Sequence, residues 1–209
     1  MDTGDGGLRE RKKRETRIAL SWAAIRLTVE RGYDHVRVED IAAEAGVSPR
    51  TFNNYFSSKG EAIAARQVER ARAIAEELRA RPAGEPLWTA ITNAAIARFA
   101  LGQDGDRAQA DQQWVAGVRL MVNEPALQGE FLKAGAAVEA EFAAVIAERT
   151  GTDADLDLYP RLVASAVGGA MAVAVEHWLR TEPPGSVADL LRDAIAQLAA
   201  GLPTPRRTS

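Results

Sequence analysis

Arg50, Thr51, Asn53, Asn54 and Tyr55 share one short stretch of chain, and their side chains suit the reading of nucleic acid. A guanidinium such as that of Arg50 donates two parallel hydrogen bonds to guanine. The amide of Asn53 or Asn54 makes the matching pair with adenine. Threonine and tyrosine hydroxyls reach phosphate oxygens. Other chemistry finds little material. The chain has no cysteine and only two histidines, His35 and His177, which lie far apart. No His/Cys/Asp grouping has metal-ligand spacing. Gly168-Gly169 lies inside a helical pattern, not after a strand as a phosphate-cradling loop would. We therefore expect no catalytic residue, no metal and no cofactor.

A base-reading surface needs a rigid mount, and the flanking residues supply one. Glu39–Ala45 carries Ile41, Ala42 and Ala45 at helical spacing. Gly46 follows, and glycine adopts a left-handed helix cap at little cost. Val47 is an apolar plug. Ser48 is an N-cap, and Pro49 suits the first helical position, where its missing N–H costs nothing. A second helix then runs from Pro49 to about Phe56. The pattern is a helix-turn-helix whose second helix enters the major groove.

The set Glu30-Arg31-Gly32-Tyr33, Val38-x-x-Ile41-Ala42-x-x-Ala45-Gly46-Val47-Ser48 and Thr51-Phe52-x-x-Tyr55-Phe56-x-x-Lys59 resembles the DNA-binding domain of TetR-family repressors. Arg-Thr-Phe-x-Asn-Tyr-Phe further resembles actinobacterial, mycofactocin-type members. The resemblance covers the first third of the chain. It implies an all-α fold, with an N-terminal three-helix helix-turn-helix DNA-binding domain followed by a helical-bundle ligand-binding and dimerisation domain. It implies that Thr51, Tyr55 and Lys59 hold phosphates, with Pro49 and Arg37 in the same DNA-facing set. Three positions depart from the pattern. Arg37 stands where a capping threonine is usual, Asn53 where an aromatic often touches the backbone, and Gly60 where an acidic residue is frequent.

The net charge of −3 looks wrong for a DNA binder, but its distribution does not. Leu8–Gly60 holds 11 basic and 7 acidic residues, whereas Glu61–Ser209 holds 15 and 20. A basic head on an acidic body orients a protein toward DNA. The basic run Arg9, Arg11, Lys12, Lys13, Arg14 and Arg17 leads into helix 1 and suits either a solvated helix start or a phosphate or minor-groove contact. Residues 1–7 are expected to be disordered. Ile18, Trp22, Ile25 and Val29 mark the buried stripe of helix 1. The absence of cysteine and of a signal peptide fits the cytoplasm, and no stretch is expected to cross a bilayer.

Ser58-x-x-Glu61 reads as a capping box opening a long helix to about Ala80. Arg81–Pro86 is the clearest break. The division expected is 1–60, arm and helix-turn-helix, and 61–209, ligand-binding and dimerisation domain. Five further helices are expected, over about 86–101, 106–122, 124–150, 155–180 and 186–200. Trp88, Phe99, Trp114, Met121, Phe131, Phe142 and Met171 lie on several of them. All but Phe131 are candidate ligand-binding residues, since converging aromatic and Met side chains line apolar cavities. An ordinary core is the plainer reading. Small residues around Gly168-Gly169 allow close helix approach. By the resemblance, the last two helices would form a dimer interface through Leu162, Ala166, Gly169, Val173, Leu191 and Ile195. The expected partners are thus a double-stranded DNA operator, a small-molecule effector and a second copy, with no membrane. A DNA-binding regulator controlled by a protein partner or by none, without a cavity, is the alternative. An all-helical enzyme or carrier comes third.

Overall fold

A computed structural model describes residues 4–100, 116–117, 119, 124–181 and 186–204, and every element among them is helical. The helices are α1 (Gly4–Arg31), α2 (Val38–Glu44), α3 (Pro49–Asn53), α4 (Lys59–Ala80), α5 (Leu87–Ala100), α6 (Pro125–Thr150), α7 (Leu158–Arg180) and α8 (Val187–Ala199), with a 3-10 turn at Tyr33–His35. Of the helix expected over 106–122, residues 116–117 and 119 are described and are helical; the rest of it and the punctuation at 102–105 and 183–185 lie outside the described residues. The chain forms two compact units. One is Met1–Glu69 with Gln112–Ala134; the other is Arg70–Asp111 with Gly135–Ser209. Helices α4 and α6 each contribute to both.

The N-terminal unit is built on α1, which is helical from Gly4. The expected disorder of residues 4–7 is corrected. Once the packed part of a helix exists, each further turn avoids the nucleation cost. The buried face of α1 is Leu20, Ala23, Ala24, Ile25 and Leu27. It is rotated from the expected stripe, with Trp22 and Val29 exposed. Alanine lets neighbouring backbones approach, and the Trp22 ring is covered instead by the Arg66 guanidinium, 4.8 Å from its centroid. Ile41, Phe52, Phe56, Ile63 and Leu127 complete this core, with Phe131 packed against it. The first turns of α6 therefore belong to the N-terminal unit, and Phe131 packs there instead of in the body.

In the C-terminal unit, α5, α7 and α8 pack together around Ile91, Val163, Val167, Trp178, Leu191 and Ile195. The break at Arg81–Pro86 is held by Arg149. Its guanidinium donates to the carbonyls of Leu78 (3.3 Å), Arg81 (3.0 Å), Pro82 (2.9 Å) and Glu85 (3.1 Å). One side chain thus satisfies carbonyls that the end of α4 leaves open. Helix α7 is long and apolar enough to pass as a membrane span by composition, which corrects the expectation that no stretch qualifies. One of its faces packs on α8, and another exposes Leu158, Leu162 and Val173 among small residues.

Candidate DNA interface

The turn between α2 and α3 closes as a Schellman motif. Gly46, at φ +71°, places its N–H on the Ala43 carbonyl at 3.1 Å, and Val47 N–H reaches Ala42 at 2.9 Å. Ser48 then caps α3 by accepting from Thr51 N–H at 3.1 Å. The Thr51 hydroxyl sits 2.9 Å from the Ser48 hydroxyl. Phe52 and Phe56 point inward one turn apart, with ring centroids 5.7 Å apart and tilted. The remaining positions must face outward. Pro49, Arg50, Asn53 and Asn54 are exposed, and Thr51 and Tyr55 half-exposed. The residues expected to read bases thus occupy one free face. Arg17 fixes its far end, donating to the Tyr55 carbonyl at 3.2 Å while its guanidinium lies 4.5 Å from the Phe56 centroid.

Arg37 is exposed at the N-cap of α2. It keeps only half of a reciprocal cap. Its backbone N–H donates to the Asp40 carboxylate at 2.9 Å, but a guanidinium cannot accept in return. With arginine here the helix lacks a side-chain cap bond, and a cation stands exposed at its start. At the start of α4, Ser58 accepts from Glu61 N–H at 3.0 Å. The Glu61 carboxylate reaches back to Ser57, not Ser58, at 2.7 Å to the N–H and 2.8 Å to the hydroxyl.

Lys59, expected to hold a phosphate, makes internal contacts in this structure. Its ammonium donates to the Tyr33 carbonyl at 2.5 Å and the Val36 carbonyl at 3.0 Å, and lies 4.1 Å from the Tyr33 ring centroid. The charge is spent inside the unit, tying α4 to the turn before α2. Beside it, burial first and then the carboxylates of Glu124, Glu130 and Asp34 push the Tyr33 phenol up. Gly60 sits in the same crowded place. A Cβ there would meet Glu130 Cγ at 3.1 Å and Tyr33 Oη at 3.2 Å, so a larger residue would push these side chains aside by a few tenths of an ångström. Lys59→Met removes both donors and leaves two carbonyls unpaired. It should cost the N-terminal unit about 1–3 kcal/mol in urea unfolding. The salt dependence of DNA binding should stay as in the wild type, which a phosphate-holding lysine would not allow.

Of the other candidate sites, Trp88 and Met171 are half-buried and Phe142 is buried, all in the C-terminal unit. Phe99 lies on α5. Trp114 and Met121 lie outside the described residues. In the expected dimer face, Leu162, Gly169 and Val173 are exposed along α7, and Ala166 is half-buried. Leu191 and Ile195 are fully buried within the protomer, so they are corrected from interface to core residues. The apolar period of α8 is filled by α5 and α7 of the same chain. The cationic face formed by Arg9, Lys12 and Lys13 was legible only as a charge run.

Residues 22–65 match the family described as bacterial regulatory proteins, tetR family, and residues 85–203 match the MftR C-terminal domain. The chain is 35% identical over 173 residues to the HTH-type transcriptional regulator TcmR of Streptomyces glaucescens, covering 82% of this chain and 76% of that one. It is 28% identical over 196 residues to the proposed mycofactocin biosynthesis transcriptional regulator MftR of Mycobacterium tuberculosis, covering 92% and 93%. Among solved structures, Thermus thermophilus FadR in complex with lauroyl-CoA, a TetR-family repressor, superposes with a TM-score of 0.57 at 18% identity, covering 92% of this chain and 98% of that one.

Proposed function

Because the chain belongs to the TetR family of bacterial transcriptional regulators, we propose that it is a homodimeric repressor released from its operator by a small apolar or amphipathic effector. The observation that carries the DNA-binding half is the free face of α3. Arg50, Asn53 and Asn54 are exposed on a helix whose opposite face, Phe52 and Phe56, is fixed in the core. Two such helices related by a twofold would sit ~34–36 Å apart, so the operator is a pseudo-palindrome with half-sites about one turn apart. A regulator that binds DNA in this way would act in the cytoplasm.

Support for the dimer comes from α7. Leu158, Leu162 and Val173 are 77%, 57% and 63% exposed and, with half-buried Ala166 and exposed Gly169, recur every three or four residues along one face. A soluble protomer gains by covering such a stripe. Support for an apolar effector comes from the candidate residues Trp88, Phe142 and Met171, which bring little charge, and from the acyl-CoA ligand of the similarly folded FadR. An effector lowers DNA affinity only if it binds the non-DNA conformation more tightly. Because α4 and α6 each enter both units, a shift along either changes the unit that carries α3.

Arg50→Ala should cost ~1–3 kcal/mol on an operator selected from a random pool, and much less on mixed-sequence duplex, with an unchanged melting temperature. Equal losses on both would remove Arg50 from base reading. A panel of acyl-CoA, aromatic and terpenoid compounds should include one that both raises the melting temperature and weakens operator binding. If none does so, control by a protein partner, or by none, replaces the effector reading.

A further inference from the structure

The basic run at the start of α1 divides into two sets. Arg11 pairs with Glu15 at 3.7 Å, Arg14 with Glu69 at 3.7 Å, and Arg17 is spent on the Tyr55 carbonyl and the Phe56 ring. Arg9, Lys12 and Lys13 instead line a groove of about 620 Å³, together with Thr16 on the same helix, Thr51 of α3 and Asn54, the C-cap of α3. The helical period explains the division. At about 100° per residue, positions 9, 12, 13 and 16 fall in one sector, and 11 falls on the opposite side. The sorting depends on α1 being helical from Gly4; in a disordered arm these cations would share no face.

The second wall of the groove decides its occupant. Thr51 and Asn54 belong to the helix that reads bases, so whatever runs along Arg9, Lys12 and Lys13 also runs beside the recognition helix. We propose that this groove holds the phosphodiester backbone of the strand flanking the major groove that α3 enters, with Arg9, Lys12 and Lys13 each neutralising a phosphate. The inference rests on the DNA-binding reading above and extends it. Helix α1 then acts as a rigid phosphate rail that adds affinity and fixes the angle of α3, while carrying no base preference.

The test uses the full chain and two probes, a duplex selected by the wild type from a random pool and a mixed-sequence duplex. Binding is followed by fluorescence anisotropy across a salt series. Arg9→Gln/Lys12→Gln/Lys13→Gln should flatten the slope of log K against log salt by about 0.9 per lost contact, about 2.7 per protomer, on both probes. The preference for the selected duplex and the melting temperature should stay those of the wild type. Arg11→Gln should leave the slope nearly unchanged. Should the triple variant fold poorly, Lys12→Gln alone should flatten the slope by about 0.9 per protomer. An unchanged slope in a folded variant with intact preference overturns the rail and leaves the function standing. So does an Arg11→Gln effect equal to that of Lys12→Gln, or a groove that polyglutamate occupies in preference to duplex. A wild type that prefers no sequence overturns the DNA-reading proposal itself.

Discussion

A protomer that keeps its helices but loses roughly 10²–10⁴-fold in operator affinity is the expected product of Gly169→Leu. Within the protomer, a Cβ at position 169 meets nothing within 4 Å, and the residue is exposed on α7. Leucine there therefore disturbs no intrachain packing. It also raises helix propensity, since glycine inside a helix costs ~1 kcal/mol relative to alanine. The substitution is harmful only if a second α7 lies against that face, where four added carbons hold the backbones apart. Without the dimer, the two half-sites are no longer engaged as one event, and the avidity between them is lost. Light scattering should give the monomer mass, with the far-UV circular dichroism of the wild type. A wild type that is itself monomeric at micromolar concentration, or a Gly169→Leu protein that remains a dimer, would remove α7 from the interface.

The largest stability effect should come from Phe52→Ala, at about 3–5 kcal/mol. Phe52 is fully buried, stacks obliquely on Phe56, and sits among Ile41, Ile63 and Leu127 in one apolar cluster. Its removal leaves a cavity where α3 packs into that cluster. A short helix has no stability of its own, so the recognition face should lose its orientation before the body loses its helices. Thermal unfolding should resolve an early N-terminal transition, and binding to mixed-sequence duplex should fall together with operator binding. A variant that melts as one transition at the wild-type temperature would contradict this.

Much of the head was legible because its signals are local. Gly46, Ser48 and Pro49 each specify a backbone conformation at their own position, so the two helices and the turn follow from residue type alone. The inward and outward faces of α3 follow from the four-residue interval between Phe52 and Phe56. Lys59 was not legible, since its direction depends on carbonyls that folding brings to it from Tyr33 and Val36. An exposed lysine and a clasping one have the same sequence signature. Leu127 and Phe131 form an ordinary apolar pair whose partner unit their spacing does not name. Leu191 and Ile195 show the same ambiguity, because periodicity reports that a face is buried and not whose chain buries it. In α1 the aromatic outweighed the alanines in the stripe, although close helix packing favours the smaller side chain.

The Lys59 ammonium also has a topological meaning. It joins the residues where the chain enters the helix-turn-helix to the residue where it leaves, 23 positions after Val36. A noncovalent buckle of this kind closes a loop around α2, the Gly46 turn and α3. While it holds, the segment is anchored at both of its ends as well as at Phe52 in its middle. Opening the buckle frees the ends and leaves Phe52 as the remaining anchor, so the helix-turn-helix is secured by a polar clasp and an apolar one acting in series.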